Sequence, residues 1–257
     1  MTHERITSRD NPLLKDIRKL VSDNTAYRKQ GRVWLEGEHL LLAAQKRCVK
    51  IDAVIYSEDF KNISVIGNHQ SDIKKIAISD KLFAELSSLD QSARIGFMVT
   101  LGPQPAVDPL ANTLILDRVQ DAGNVGSMLR SAAAFGFTQV LALKGTAALW
   151  SSKVTRAGMG AHFGLQLIEG ASAQDVQALQ VPVLGTSSHQ GHWLGSAPLP
   201  APCAWAMGHE GQGLGPQLQA LARQWVRIRQ PGGEESLNVA SAAAICMHAS
   251  SLQGSGL

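Results

Sequence analysis

Thr113-Leu-Ile-Leu-Asp-Arg-Val-Gln-Asp-Ala-Gly-Asn-Val-Gly-Ser-Met-Leu-Arg-Ser-Ala-Ala-Ala-Phe-Gly136 decides the fold class. Thr113–Leu116 is a short run of the kind buried as a strand, and a polar turn bounds it. Asp121 and Asn124 are capping residues and Gly126 suits a turn, so a helix is expected over Val125–Phe135. Gln139–Leu143 is the next strand. Strand, helix and strand in that order make the repeating unit of a parallel sheet. Turns from strand to helix at the carboxyl ends of such a sheet are where ligands bind. A plain capped helix accounts for Asp121 and Asn124 equally well. Arg130 is a lone cation among Ser127, Met128, Leu129, Ala132 and Ala133, and it needs an anionic or carbonyl partner.

Towards the carboxyl end the alternation continues. Strands are expected at Phe163–Ile168, Val181–Gly185, Ala204–Met207 and Trp225–Ile228, and helices at Ser172–Leu179, Gly215–Ala222 and Asn238–Ser251. Two stretches stand out. Ala204-Trp-Ala-Met-Gly-His-Glu-Gly-Gln-Gly-Leu-Gly-Pro216 puts four glycines in eight residues after an apolar strand, with Glu210 its sole carboxylate. That density lets main chain approach a ligand without Cβ interference, although an irregular loop needs glycines too. Beyond Trp225, a Pro231-Gly-Gly loop leads to Ser236 and Asn238, which open an alanine-rich helix suited to close packing.

Towards the amino end, Gly102–Pro109 carries three prolines in eight residues, where neither helix nor strand continues easily. It reads as a linker over residues 102–111, between a domain at 1–101 and one at 112–257. The first domain reads as a small α/β module. Helices are expected at Asn11–Val21, at Glu38–Gln45 and after Ser79-Asp80, and strands at Ile51–Tyr56, Lys74–Ile78 and Ile95–Leu101. Its first 50 residues hold 11 Lys and Arg against 6 acids, a surplus larger than the net +3 of the whole chain. Phosphate backbones select such a surplus, and a solvated lysine-rich surface shows it too. Three widely spaced cysteines (Cys48, Cys203, Cys246) argue against a disulfide framework. No apolar run approaches the roughly 20 residues of a membrane span, and the polar start lacks a signal-peptide core. A cytoplasmic protein is expected.

Other chemistries lack their signatures. No G-x-x-x-x-G-K-[ST] and no G-x-S-x-G is present, and Gly158-Met-Gly-Ala-His-Phe-Gly164 follows no apolar strand. His189 and His192 lack metal-site spacing and a nearby Cys or acid, so no metal is expected.

Taken together, in this order, the stretches resemble the three signature motifs of the SpoU (TrmH-like) branch of the SPOUT RNA methyltransferases. Asp121-Ala-Gly-Asn-Val-Gly126 through Arg130-Ser-Ala is similar to the first. Gly208-His-Glu-Gly211 with Gly213-Leu214 is similar to the second. Glu235-Ser-Leu-Asn-Val239 leading into Ala242–Ile245 is similar to the third. Lys153–Phe163 matches a further part of that family. The resemblance covers about residues 112–251. Ile6–Lys15 and Leu35-Glu-Gly37 resemble the substrate-binding domain often fused ahead of it, whose fold is like that of ribosomal RNA-binding proteins.

The resemblance implies a parallel α/β SPOUT domain with a carboxyl-terminal trefoil knot, a homodimer through that domain, and a site completed across the interface. It implies S-adenosylmethionine as cofactor, in loops containing Thr186, Gly208, Ile228 and Leu237. Arg130 carries over as the catalytic Arg, with Asn124, Glu210, Ser236 and Asn238 as its polar set. Arg9, Lys15 and Arg28 are candidate RNA contacts. The implied activity is methyl transfer to a ribose 2′-hydroxyl in structured RNA, ribosomal RNA ahead of transfer RNA. Arg130 acts either as a phosphate-assisted base or as a stabiliser of developing alkoxide. The alternative is a catalytically silent SPOUT-fold RNA-binding module. Ala122, Arg229, Gln230 and Glu234 depart from the family pattern, and Arg229 and Gln230 flank a cofactor loop.

Overall fold

The computed structural model describes residues 3–67, 73–87, 93–232 and 236–254. Glu234 and Glu235 lie outside the described residues. The chain divides into two compact units, Met1–Pro103 with Trp150–Phe163, and Gln104–Leu149 with Gly164–Leu257.

The first unit contains β1 (His3–Ile6), α1 (Pro12–Ser22), α2 (Ala26–Gln30), β2 (Arg32–Glu36), α3 (Glu38–Lys46), β3 (Ala53–Ser57), β4 (Lys74–Ile78), α4 (Asp80–Ala84) and β5 (Ile95–Thr100). Its sheet runs β1-β4-β3-β5-β2, with β1, β4 and β3 parallel and β5 antiparallel to both its neighbours. The first helix begins where proline and a cap place it. Pro12 occupies the first turn and Asn11 Oδ1 accepts from the Leu13 N–H at 2.9 Å. Leu14, Ile17 and Leu20 then fall on one buried face. Sequence reasoning did not read β1, α2 or β2 as elements. Val33, Trp34 and Leu35 of β2 are all buried, so the strand shows no alternation that would mark it.

The second unit carries β6 (Thr113–Leu116), α5 (Ala122–Ala134), β7 (Gln139–Leu143), β8 (Gln166–Ala171), α7 (Ala173–Gln177), β9 (Val183–Thr186), β10 (His192–Trp193), β11 (Ala204–Met207), α8 (Pro216–Leu221), β12 (Gln224–Arg227) and α9 (Val239–Gly254). The helix α6 (Ser152–Gly158) lies between β7 and β8 in the chain but belongs to the first unit, where it packs on β2. The sheet order is β10-β12-β9-β11-β6-β7-β8, and every pairing in it is parallel. Thus the α/β class and the parallel sheet expected from alternating strands and helices are observed.

Two boundaries moved for local reasons. The helix expected from Val125 begins at Ala122, because Asp121 Oδ1 accepts from the Asn124 N–H at 2.7 Å and caps it earlier. The strand expected from Phe163 begins at Gln166. Ala161–Gly164 forms a 3₁₀ turn, and the Phe163 ring lies 6.3 Å from that of Trp150. The proline-rich stretch is anchored from Gln104 onward. Gln104 accepts from the Glu169 N–H (2.9 Å), and the buried Gln139 amide brackets Asp108 by accepting from its N–H (2.8 Å) and donating to its carbonyl (3.1 Å).

Candidate ligand site at the carboxyl ends of the parallel strands

Because the strands are parallel, the chain leaves β6, β9, β11 and β12 at the same edge of the sheet. The three motif stretches meet there. Glu210, in the turn after β11, accepts from the N–H groups of Gln120 (3.3 Å) and Asp121 (3.1 Å), which follow β6. The Asn124 side-chain amide donates to the same carboxylate at 3.3 Å. Asn238, just before α9, donates through Nδ2 to Asn124 Oδ1 at 2.9 Å, and its own Oδ1 accepts from Ala240 and Ser241, starting the helix. A relay Glu210–Asn124–Asn238 thus ties together residues up to 114 positions apart.

Burial pushes the Glu210 carboxyl up. The N–H groups of Glu210 itself, Asp121 and Gln120 and the Asn124 amide outweigh that, and the group lies below the ordinary 4.5. The carboxylate is an anion held by donors, ready to fix the Asn124 amide in one orientation.

The turn carrying Glu210 is narrow. His209 N–H donates to the Gly213 carbonyl (3.1 Å) and Gly213 N–H to that of His209 (2.8 Å), while His209 Nδ1 accepts from Gly211 at 3.0 Å. Gly208 faces the Gly213–Leu214 peptide so closely that a Cβ there would overlap it, and Gly213 has φ +67°. This turn, the segments after β9 and β12 and the start of α9 enclose a cavity of about 660 Å³. Thr186, Gly208, Ile228 and Leu237, the four expected cofactor positions, all line it, as do Ser236 and Asn238.

Arg130 stands apart. It is exposed on α5, six residues beyond Asn124, outside the cavity lining, and no hydrogen bond or ion pair engages its guanidinium among the described residues. In the first unit, Arg9 pairs with Glu85 (2.8 Å), Lys15 with Asp10 (2.9 Å), and Arg28 lies over the Tyr27 ring at 5.6 Å.

Sequence reasoning missed several residues that shape the site. Asp117 is buried; it accepts from the Gly215 N–H at 2.6 Å and from Arg118 Nε at 2.9 Å, and Arg118 Nη1 donates to Gln212 at 3.1 Å. These two residues lock the end of β6 to the glycine turn. An Asp-Arg pair after a strand reads as a solvated turn, so no local signal marked them. Gln230 was noted only as a departure; it lines the cavity, and its Oε1 is buried with no donor among the described residues. No helix among the described residues is long and apolar enough to cross a membrane, and no cluster of His, Cys, Asp or Glu among them is placed to hold a metal.

An all-parallel sheet with a cavity of this size at the carboxyl ends of its strands, lined in part by the glycine turn Gly208–Gly213, defines a ligand-binding α/β domain. The SpoU rRNA Methylase family matches residues 111–248, over half of the chain. The chain belongs to the SpoU rRNA methylase family. It is 27% identical over 248 residues to the 23S rRNA (guanosine(2553)-2′-O)-methyltransferase RlmP of Bacillus subtilis, covering 95% of this chain and 98% of that one. A crystal structure of an RNA 2′-O ribose methyltransferase superposes with a TM-score of 0.80 at 26% identity, covering 97% of this chain and 98% of the other. The fold is also that of the SpoU methyltransferase AviRb from Streptomyces viridochromogenes, solved in complex with AdoMet (TM-score 0.84, 20% identity, 95% of this chain and 98% of that one).

Proposed function

We propose that this protein transfers a methyl group from S-adenosylmethionine to a ribose 2′-hydroxyl in structured RNA, ribosomal RNA ahead of transfer RNA. The observation that carries the reading is the Glu210–Asn124–Asn238 relay, whose Glu210 and Asn238 line the cavity beside the glycine turn. The residues present fit the donor. The cavity is of the size that takes a nucleoside-like ligand. Main chain at Gly208 and side chains of Ile228 and Leu237 offer an apolar and peptide lining, and Gln230 Oε1, with no donor among the described residues, supplies a buried acceptor. Thr186, Gly208, Ile228 and Leu237 would hold the donor, which supplies an electrophilic methyl on a sulfonium.

A ribose hydroxyl is a weak nucleophile whose proton must leave as the methyl is attacked. A guanidinium, with a pKa above about 12, stays charged and is a poor base. Arg130 therefore orients a phosphate of the RNA, by way of whose oxygen the hydroxyl proton passes to water, and stabilises the developing alkoxide. Asn124, Ser236 and Asn238 fix the sugar beside the donor, and Glu210 fixes Asn124.

The same reading makes the active unit a two-fold dimer with a carboxyl-terminal trefoil knot. Support for the dimer is the composition of α9. The helix is small and apolar on all sides, burying Ala243, Cys246 and Met247 while leaving Ile245 (40%) and Leu252 (59%) exposed. Arg130, exposed and outside its own cavity, suits a site completed by the partner subunit. Support for the knot is the strand order. β11 lies between β9 and β6, β12 lies beyond β9, and α9 returns to pack on α5 and β11, an arrangement that a threaded last segment would give. The basic first unit would grip the RNA, with Arg9, Lys15 and Arg28 as contacts.

Mixing two dead variants tests the reading. Arg130→Ala and Glu210→Ala proteins, each silent in tritiated methyl transfer to in-vitro transcribed ribosomal RNA, should regain part of the activity when co-refolded, because one site of each hybrid dimer is then intact. Arg130→Ala alone should still bind S-adenosylmethionine. Full turnover by Arg130→Ala would overturn its assignment; no recovery in the hybrid would overturn completion across the dimer. Wild-type protein without transfer to any RNA would leave the silent RNA-binding module.

A further inference from the structure

The outer edge of the second unit's sheet carries a cation–aromatic cluster that the cavity residues do not use. In the parallel pairing of β10 with β12, Trp193 lies opposite Arg227. The Arg227 guanidinium sits over the Trp193 ring at 4.0 Å from its centroid, and that of Arg229 lies 5.5 Å away. The pairing is fixed by main chain, since the Leu194 N–H donates to the Arg227 carbonyl at 2.8 Å. Among the described residues neither guanidinium meets a carboxylate and Arg227 Nε has no acceptor.

From residue 186 to residue 232 the chain has Arg223, Arg227 and Arg229 and a single acid, Glu210; Glu234 and Glu235 follow, outside the described residues. Glu210 is already held by the donors of its relay. Arg227 closes β12 and Arg229 follows it, beside the two-residue edge strand β10 that carries Trp193. A tryptophan that orders both guanidinia lowers the entropy lost when they take an anion, and a guanidinium fork matches the oxygens of a phosphate. The position is also apt. Ile228 and Gln230, on either side of Arg229, line the cavity, so this edge adjoins the expected donor site.

We infer that Arg227 and Arg229, laid against Trp193, form a phosphate clamp for the RNA strand next to the target nucleotide. The inference rests on the reading that RNA is the substrate. Trp193 is a positioning residue in it, and the two arginines are the contacts. The clamp also gives a role to Arg229, where the chain departs from its family's pattern.

The test uses the full-length protein, a fluorescein-labelled 20-nucleotide oligouridylate for binding and in-vitro transcribed large-subunit ribosomal RNA for methylation. The Arg227→Gln/Arg229→Gln double variant should bind the oligonucleotide about tenfold more weakly or worse, the scale of losing charged contacts. The slope of log affinity against log salt should become shallower by about 1.4, at roughly 0.7 per phosphate released from a single strand. Trp193→Leu keeps both charges and should weaken binding with the slope unchanged, a pattern that general damage would not produce. Thermal melting and S-adenosylmethionine affinity should stay at wild-type values in both. In methylation, KM for RNA should rise while KM for the donor does not. An unchanged salt slope in the double variant overturns the clamp, whether or not the wild type methylates. A wild type that binds RNA through these arginines but transfers no methyl overturns the enzymatic reading and leaves the clamp.

Discussion

The three glycines of the Glu210 turn make a graded test of how that turn is built. At Gly208 an added Cβ would stand 2.5 Å from the Gly213 oxygen and closer still to the peptide that follows it. Nonbonded heavy atoms settle at about 3.5 Å, so the two arms of the turn must part by roughly 1 Å. That breaks both His209–Gly213 hydrogen bonds, at about 1 kcal/mol each. It also loosens Leu214, which is buried beneath them, for up to ~1 kcal/mol more. Gly208→Ala should therefore cost about 2–3 kcal/mol, lowering Tm by roughly 4–12 °C for a protein of this size. It should also weaken S-adenosylmethionine binding at least about tenfold, because the same turn lines the cavity. Gly213 has open space around its Cβ position but φ +67°, so Gly213→Ala should cost only the left-handed penalty of about 1–2 kcal/mol. Gly211 meets nothing nearer than the His209 ring at 3.8 Å and has ordinary φ; Gly211→Ala should fall within about 0.5 kcal/mol of wild type. Differential scanning fluorimetry and isothermal titration calorimetry read both quantities. Gly208→Ala melting with Gly211→Ala, and binding the donor as tightly, would refute the close approach on which the turn's geometry depends.

Two further outcomes follow from the same structure. Glu210 lies below its ordinary 4.5 in the folded state, so its contribution is complete above that pH and is lost as pH falls through the lower folded value. The stability difference between wild type and Glu210→Gln should be constant from pH 7 to pH 5 and shrink below 4.5, as urea midpoints will show. Cys203 and Cys246 are buried, and burial beside Cys203 pushes Cys246 up to about 12, whereas Cys48 is exposed. A native thiol titration should count one reactive group and a denatured one three; early reaction of the buried pair would mean that α9 does not stay packed on β11.

The strands of the larger unit were legible because each is a short apolar run closed by turn residues, and Thr113–Leu116, Gln139–Leu143 and Ala204–Met207 sit where the sequence places them. Asn124, Glu210 and Asn238 were legible by type and order, and the structure joins them by hydrogen bonds. Arg130 was legible as a cation without a local reason. Its side chain indeed finds no partner in its own chain among the described residues. β2 of the smaller unit escaped notice because it is buried on both faces, and β10 of the larger one because two residues carry no period at all.

What stayed illegible shares one physical cause. Asp117 looks like the first residue of a solvated turn until Gly215, 98 positions later, donates its N–H to it and Arg118 closes over both. Gln139 looks like a polar residue opening a strand until its amide proves to bracket Asp108 from inside. In each case a buried polar side chain is tolerable only because a distant main-chain group satisfies it, and no local pattern records which group that will be. Motif residues escape this difficulty, since the chemistry restricts their type whatever their neighbours. The residues that hold them obey only the hydrogen-bond requirement, and many sequences meet it. Trp193 and Arg229 belong to a third kind, side chains whose pairing is local in space but set by strand register. Their pairing could not be read until β10 and β12 were seen to lie side by side, and that is why Arg229 stood in the sequence only as a departure from the family pattern beside a cofactor loop.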